Sequence, residues 1–186
     1  MLGLKAAFKI FLIVLWTLPV LLVQSVVLLF VKGQSAYIIP RIWHKVVCWL
    51  IGLEIEVCGT PVQDAQLIYI SNHLSYLDIP AIGTILKASF IAKDDVAGWP
   101  VIGTLARLQQ TAFISRSSNK AKKVANALDV MLKQGKSLVL FPEGTSTLGI
   151  SVLPFKSSLF SLALPKTGIP IAIQPFIIDL ISVNNQ

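Results

Sequence analysis

Seven consecutive residues, Asn72-His73-Leu74-Ser75-Tyr76-Leu77-Asp78, put a histidine five positions before a carboxylate. A carboxylate that accepts the Nδ1–H of an imidazole fixes its tautomer and leaves Nε2 free to take a proton from a hydroxyl near neutral pH. Five positions is too far for neighbours on one helical turn, so the spacing predicts His73 in a loop and Asp78 opening a helix. The flanks agree, because Gln66 to Ile70 is an apolar run of strand length and Pro80 suits a first helical turn. Such a dyad needs no nucleophile from the protein, since the substrate hydroxyl itself becomes one. The same residues also admit a plainer reading, in which His73 is a satisfied loop residue and Asp78 a helix cap.

Three further polar clusters each follow an apolar run. In Phe113-Ile114-Ser115-Arg116, the guanidinium fork of Arg116 could clamp a phosphate, with a surface ion pair as the plainer alternative. In Phe141-Pro142-Glu143-Gly144-Thr145-Ser146-Thr147, Gly144 lets backbone approach a ligand while Glu143 and Thr145 can bind hydroxyls. In Gly168-Ile169-Pro170-Ile171, Pro170 shapes entry to a last strand. Lys93 and Lys156 end two other apolar stretches and could add charge to the same crevice; otherwise Lys93 pairs with Asp94 or Asp95 and Lys156 faces solvent.

These clusters need elements to carry them. After Gly59-Thr60-Pro61 the chain alternates short apolar runs with amphipathic stretches, which is α/β organisation. Predicted strands are Glu54–Cys58, Gln66–Ser71, Ser89–Lys93, Thr111–Ser115, Ser137–Phe141 and Pro170–Phe176. Most are bare apolar runs, as in a mostly parallel mixed sheet covered by helices on both faces. A helix begun by Ser117 or Ser118 and ended by Gly135 carries an apolar face of Ala121, Val124, Ala125, Leu128, Met131 and Leu132. Strand ends of an open sheet converge on one crevice, which would gather the clusters.

Composition places this domain at a membrane. Of 186 residues 54% are hydrophobic and 13% charged, against about 25% charged in soluble proteins. Sixteen Lys+Arg against 9 Asp+Glu give +7, which suits an anionic lipid surface or a phosphorylated or thiol-carrier substrate. Nucleic acid is the weaker reading, for no basic run with interleaved aromatics occurs. Cys48 and Cys58 have neither zinc-site nor disulfide-framework spacing. From Ile10 to Val31 there are 22 residues without a charge, long enough to span a bilayer and without a small-x-small cleavage exit. A second segment, Ala36 to Leu53, mixes Arg41, His44 and Lys45 with Trp43 and Trp49, which favours the membrane interface and assigns His44 there. The pair predicts a membrane-anchoring helical hairpin over residues 1–53, with a single span as the alternative, followed by the α/β domain over 54–186. Lys5 and Lys9 before the first segment, and Lys32, Arg41 and Lys45 after it, place both ends on the cytoplasmic face.

In this order the clusters resemble the glycerolipid acyltransferases typified by 1-acylglycerol-3-phosphate acyltransferase, over residues 66 to 176. That family's blocks are Asn-His-x4-Asp, Gly-x-x-Phe-Ile-x-Arg, Phe-Pro-Glu-Gly-Thr-Arg-Ser and a Val-Pro-Ile-x-Pro-like strand. The first is complete here from Asn72 to Asp78, and the third matches from Phe141 to Thr145. The resemblance implies that His73, oriented by Asp78, activates a glycerol hydroxyl that attacks an acyl thioester, with no covalent acyl-enzyme. It implies further that Arg116 holds the acceptor's phosphate and that Glu143, Gly144 and Thr145 form the glycerol-binding loop. The expected substrates are lysophosphatidic acid and acyl-CoA or acyl carrier protein, in phospholipid biosynthesis at the bacterial inner membrane. No metal or organic cofactor is expected, because the thioester already activates the acyl carbon.

Two positions depart from the pattern: Gln110 stands where the second block usually has Gly, and Ser146 where the third usually has Arg. The fourth block, Ile169 to Pro175, is approximate. Loss of the basic residue at 146 makes an acceptor such as a lyso-ornithine lipid credible. The chain ends about ten residues beyond the last block, so a C-terminally shortened domain is expected, and an inactive shortened membrane protein is the non-enzyme alternative. A serine hydrolase is disfavoured, because neither Ser146 nor Ser151 has the second glycine of Gly-x-Ser-x-Gly.

Overall fold

The chain begins with a hairpin of two unequal helices. In the computed structural model, which describes residues 2–63, 65–114, 130–156 and 171–182, helix α1 (Leu2–Phe30) runs 29 residues with Pro19 inside it. At 1.5 Å per residue it is about 43 Å long, and it is the one described helix long and apolar enough to cross a membrane. A 3₁₀ turn (Gly33–Tyr37) leads into α2 (Ile38–Ile51), which ends where Gly52 takes φ 81° and its N–H returns to the Cys48 carbonyl at 3.0 Å. Three bonds set the antiparallel register: Lys9 Nζ donates to Ile51 O (3.3 Å), Trp43 Nε1 to Thr17 Oγ1 (2.9 Å) and Gln24 Nε2 to Ala36 O (3.0 Å).

The other face of α2 belongs to the protein, which corrects the placement of His44 at a membrane interface. His44 is buried, bonds Gln109 Oε1 through Nε2 at 3.2 Å and lies flat on Gly83 of α3 (Asp78–Ile85). A Cβ at position 83 would come within 2.2 Å of the ring, so glycine there is a condition of the contact. Arg41 Nε bonds Thr84 O at 2.7 Å, putting a cation on the last turn of α3. The sequence pattern misled because basic residues beside tryptophans mark an amphipathic helix without saying which solvent each face meets.

Burial pushes the His44 imidazole down to about 4. Above its ordinary pKa neither state is protonated; below it the unfolded chain takes up the proton first. Stability on the order of 3 kcal/mol is therefore expected to be lost as pH falls from about 6.5 to about 4. Denaturant melts across that window should show the loss in wild type and a flatter profile in His44→Asn; equal profiles would refute the assignment.

The sheet has five strands, β1 (Leu67–Ile70), β2 (Ala88–Lys93), β3 (Ala112–Ile114), β4 (Ser137–Leu140) and β5 (Ala172–Pro175), in the order β3-β2-β4-β1-β5. Every pairing is parallel, so the antiparallel element allowed for in a mixed sheet is absent among the described residues. Alternate residues of β1 and β4 serve two cores. Leu67, Tyr69, Val139 and, just past β4, Phe141 join Ile82 of α3 and Leu86 directly after it on one face, while Ile68, Leu138 and Leu140 join Leu132 on the other. This double burial explains why the strands read as unbroken apolar runs. β5 is an exposed edge strand and accordingly tolerates Pro175.

Residues 54–58, predicted as a strand, form none: they run from α2 towards β1 without pairing to a described strand. Of the apolar residues in the alternation Glu54-Ile55-Glu56-Val57 only Ile55 is half-buried while Val57 is exposed, and β5 occupies the edge beside β1. Of the helix predicted from Ser117 or Ser118 to Gly135, only the last turn lies within the described residues; Met131 and Leu132 there pack on the second core as expected.

Helix α4 (Ile102–Leu108) precedes the first departure from the motif pattern, Gln110. Gln110 has φ 61°, with its N–H on Arg107 O (2.9 Å) and that of Thr111 on Ala106 O (2.9 Å), a helix stop that favours glycine. Its Nε2 is also buried without a partner among the described residues. Gln110→Gly is expected to raise stability by about 1 kcal/mol, read from the denaturation midpoint, by relieving a left-handed conformation that costs an L residue about that much.

Candidate active site

Parallel pairing puts the carboxyl ends of β1, β2, β3 and β4 along one edge of the sheet. The loop after β1 carries His73, the loop after β4 starts at Phe141, and β2 ends on Lys93. The central pair β1 and β4 is bonded directly past its ends, Ser71 N to Leu140 O at 3.1 Å.

His73 Nδ1 lies 2.6 Å from Asp78 Oδ2. That oxygen also accepts the backbone N–H of Leu74 (2.6 Å) and of Ser75 (3.0 Å). Asp78 opens α3, yet its side chain turns back to the preceding loop, so it is an orienting group and not a cap of its own helix. Two backbone donors aim a carboxylate that is only 4% exposed, and the imidazole is held in turn. The ring stacks on Phe141 with centroids 4.3 Å apart and planes 18° from parallel. The Thr147 N–H donates to His73 O at 2.8 Å. Blocks that lie about seventy residues apart in sequence thus share one contact surface. No described residue bonds His73 Nε2, which is the basic nitrogen when Nδ1–H points at Asp78.

The glycine loop is a built turn. Gly144 has φ 68° and its N–H bonds Phe141 O at 3.0 Å. Lys156 N bonds Pro142 O at 2.9 Å, and its side chain folds over Gly144, whose missing Cβ would sit 2.6 Å from Nζ. Lys156 therefore lies against the loop. Glu143 is buried and its Oε2 accepts Leu153 N at 3.0 Å, so this carboxylate closes the loop; Thr145 is exposed beside it. Lys93 is half-buried at the end of β2, and Arg116 lies outside the described residues.

One contributor carried no assigned role in the sequence reading. Asn72 donates from Nδ2 to Ile178 O (2.9 Å) and accepts Ile178 N at Oδ1 (2.8 Å), tying the chain after β5 to the residue beside the base. Its position within the seven-residue block was the available signal, but the partner is over a hundred residues away.

A parallel α/β sheet with a carboxylate-oriented histidine at its carboxyl edge is a transferase-like or hydrolase-like scaffold with the base in place and the substrate to supply the nucleophile. The Acyltransferase family model matches residues 54–179, and the chain belongs to that family. It is 36% identical over 154 residues to a lyso-ornithine lipid O-acyltransferase of Rhizobium meliloti (strain 1021), covering 80% of this chain and 52% of that one. To a 1-acyl-sn-glycerol-3-phosphate acyltransferase of Neisseria gonorrhoeae it is 35% identical over 117 residues, 61% of this chain and 45% of that one. The crystal structure of a 1-acyl-sn-glycerophosphate acyltransferase from Thermotoga maritima shares the fold, with a TM-score of 0.64 at 23% identity over 90% of this chain and 73% of that one. The chain spans about half the length of the curated relatives it matches.

Proposed function

We propose that this chain transfers an acyl group from a thioester donor, acyl-CoA or acyl-acyl carrier protein, to the free hydroxyl of a lysolipid. The observation that carries the reading is the 2.6 Å contact of His73 with an Asp78 already bonded by two backbone donors. His73 Nε2 takes the hydroxyl proton as that oxygen attacks the thioester carbon. Collapse of the tetrahedral intermediate breaks the carbon–sulfur bond, and the departing thiolate receives the proton from the imidazolium. The loop Glu143-Gly144-Thr145 receives the acceptor, and Lys93 and Arg116 bind its head group.

For that head group, lyso-ornithine lipid is favoured by two observations. Matches to proteins of that name cover 60% to 80% of this chain, three of four at 76% or more, against 61% to 63% for those named for glycerol phosphate. Ser146 also leaves the loop without an arginine at that position, which a zwitterionic acceptor needs less than a phosphomonoester does. Lysophosphatidic acid is the second reading, supported by Lys156 folded on Gly144 and by Lys93. The test is transfer of radiolabelled acyl groups by the purified full chain in lipid vesicles, with both acceptors in parallel. Preference for the phosphate acceptor, lost at least about 10-fold in Arg116→Ala, would reverse the order of the two; acylation of neither would end the reading. In the same assay chelators are expected to leave turnover unchanged, since the reaction requires no metal.

The exposed apolar helix α1 supports membrane association. In this reading residues 1–53 are the anchor and the rest faces the cytoplasm at the bacterial inner membrane, where thioester donors occur. An impermeant thiol reagent outside intact cells should then leave the exposed Cys58 unlabelled; labelling there would invert the orientation.

A further inference from the structure

Both banks of the His73 loop carry apolar side chains that no described residue covers. On one bank Tyr76, 74% exposed, meets Trp99 edge-on with ring centroids 6.0 Å apart, and Leu77, Val101 and Ile102 continue the patch. On the other, Leu148 and Ile150 are 89% and 87% exposed, and the Gly149 between them packs on Leu74, the residue after the base. Apolar side chains this exposed, grouped around a substrate opening, mark an interaction surface.

The first bank is rigidly built. Val101 has φ 62°, a conformation a β-branched residue rarely adopts and that persists only where its surroundings impose it. They do so here: Trp99 N bonds Val96 O (3.1 Å), Gly103 N bonds Trp99 O (2.9 Å), and Gly103 lies so close to Ala97 O that a Cβ would meet it at 2.4 Å. The segment Trp99-Pro100-Val101-Ile102 is thus a preformed wedge with its apolar groups outward.

We propose that this rim is a second membrane-docking surface, distinct from α1, which enters the headgroup boundary and opens the His73 crevice directly onto the leaflet. The occupant is a lipid surface for three reasons. The rim continues into α4, whose last residue Leu108 accepts a hydrogen bond at 3.1 Å from Gln24 of the outward-apolar α1, so wedge and apolar helix form one connected body. Its aromatic members are Trp and Tyr, the side chains that suit a boundary between hydrocarbon and water. The chain's +7 charge complements an anionic leaflet. The inference rests on the lysolipid reading only for its purpose: an acceptor that stays in the leaflet would reach the base without crossing water.

The test leaves Trp99 as the sole tryptophan (Trp16→Phe, Trp43→Phe, Trp49→Phe) in the full chain, bound to phosphatidylethanolamine–phosphatidylglycerol vesicles with acyl chains brominated near the headgroup. Emission is expected to fall about twofold or more relative to unbrominated vesicles, as for a side chain buried in the interface. Unquenched emission from vesicle-bound protein overturns the proposal, as does burial of Trp99 by an acyl carrier protein instead of by lipid. Should the triple variant misfold, a solvatochromic dye on Ile102→Cys in a Cys58→Ser background gives the same readout. Quenching needs no turnover, so a protein that docks but acylates nothing would fail only the functional reading. If both hold, Val101→Ser with Ile102→Ser should raise KM for vesicle-borne lysolipid by about 10-fold while a short-chain soluble acceptor is used at the wild-type rate.

Discussion

Replacing His73 by alanine is expected to lower acyl transfer to a lysolipid by about 10²- to 10⁴-fold, the contribution of a positioned general base. The hydroxyl must lose its proton as it attacks, and no other described histidine has a carboxylate within hydrogen-bond distance. The fold should survive, because the ring is one wall of a partly open crevice and its loss removes a stacking contact on Phe141 worth about 1 kcal/mol. Single-turnover rates on vesicles, beside a melting curve, separate the two effects. Near-wild-type transfer by a folded His73→Ala protein would remove the base from the mechanism, whatever the acceptor.

Asp78→Asn is expected to cut the rate by about 10²-fold or more and also to loosen the loop by about 1 to 3 kcal/mol. The reason is that one oxygen, Oδ2, accepts three donors: the imidazole N–H and the backbone N–H of Leu74 and Ser75. An amide oxygen in its place could accept the same bonds but would carry no charge to balance the imidazolium. With the amide reversed, a donor would face three donors, and the ring would lose its tautomer. The loss should fall mainly on kcat, because Asp78 touches the base and not the substrate. A variant that lost affinity for the acceptor while keeping kcat would instead mark Asp78 as a substrate ligand.

The pairing of His73 with Asp78 was legible because both ends lie within seven residues. Strand, loop and helix follow one another locally there, and a short loop leaves few ways to arrange a base and an acid. The strands that became β1, β2 and β4 were legible for a related reason, since double burial leaves them mainly apolar, with Ser89 and Ser137 buried on hydrogen-bond partners and Lys93 at a strand end. Residues 54–58 failed the same test. Alternation over four residues is too short to require a strand partner, and here only Ile55 is half-buried while Val57 stays exposed.

What the sequence determined by itself was therefore local or chemical: which residues can exchange protons, where apolar runs must be buried, and that a 22-residue uncharged stretch needs an apolar surrounding. The tertiary structure decided which distant groups meet. It set Phe141 flat on His73, folded Lys156 over Gly144, tied Asn72 to Ile178 and gave His44 to Gly83 instead of to a membrane. The contacts of His73 with Phe141 and of Asn72 with Ile178 depend on β1 lying between β4 and β5, and strand order is settled by how whole faces pack and not by any neighbour in the chain.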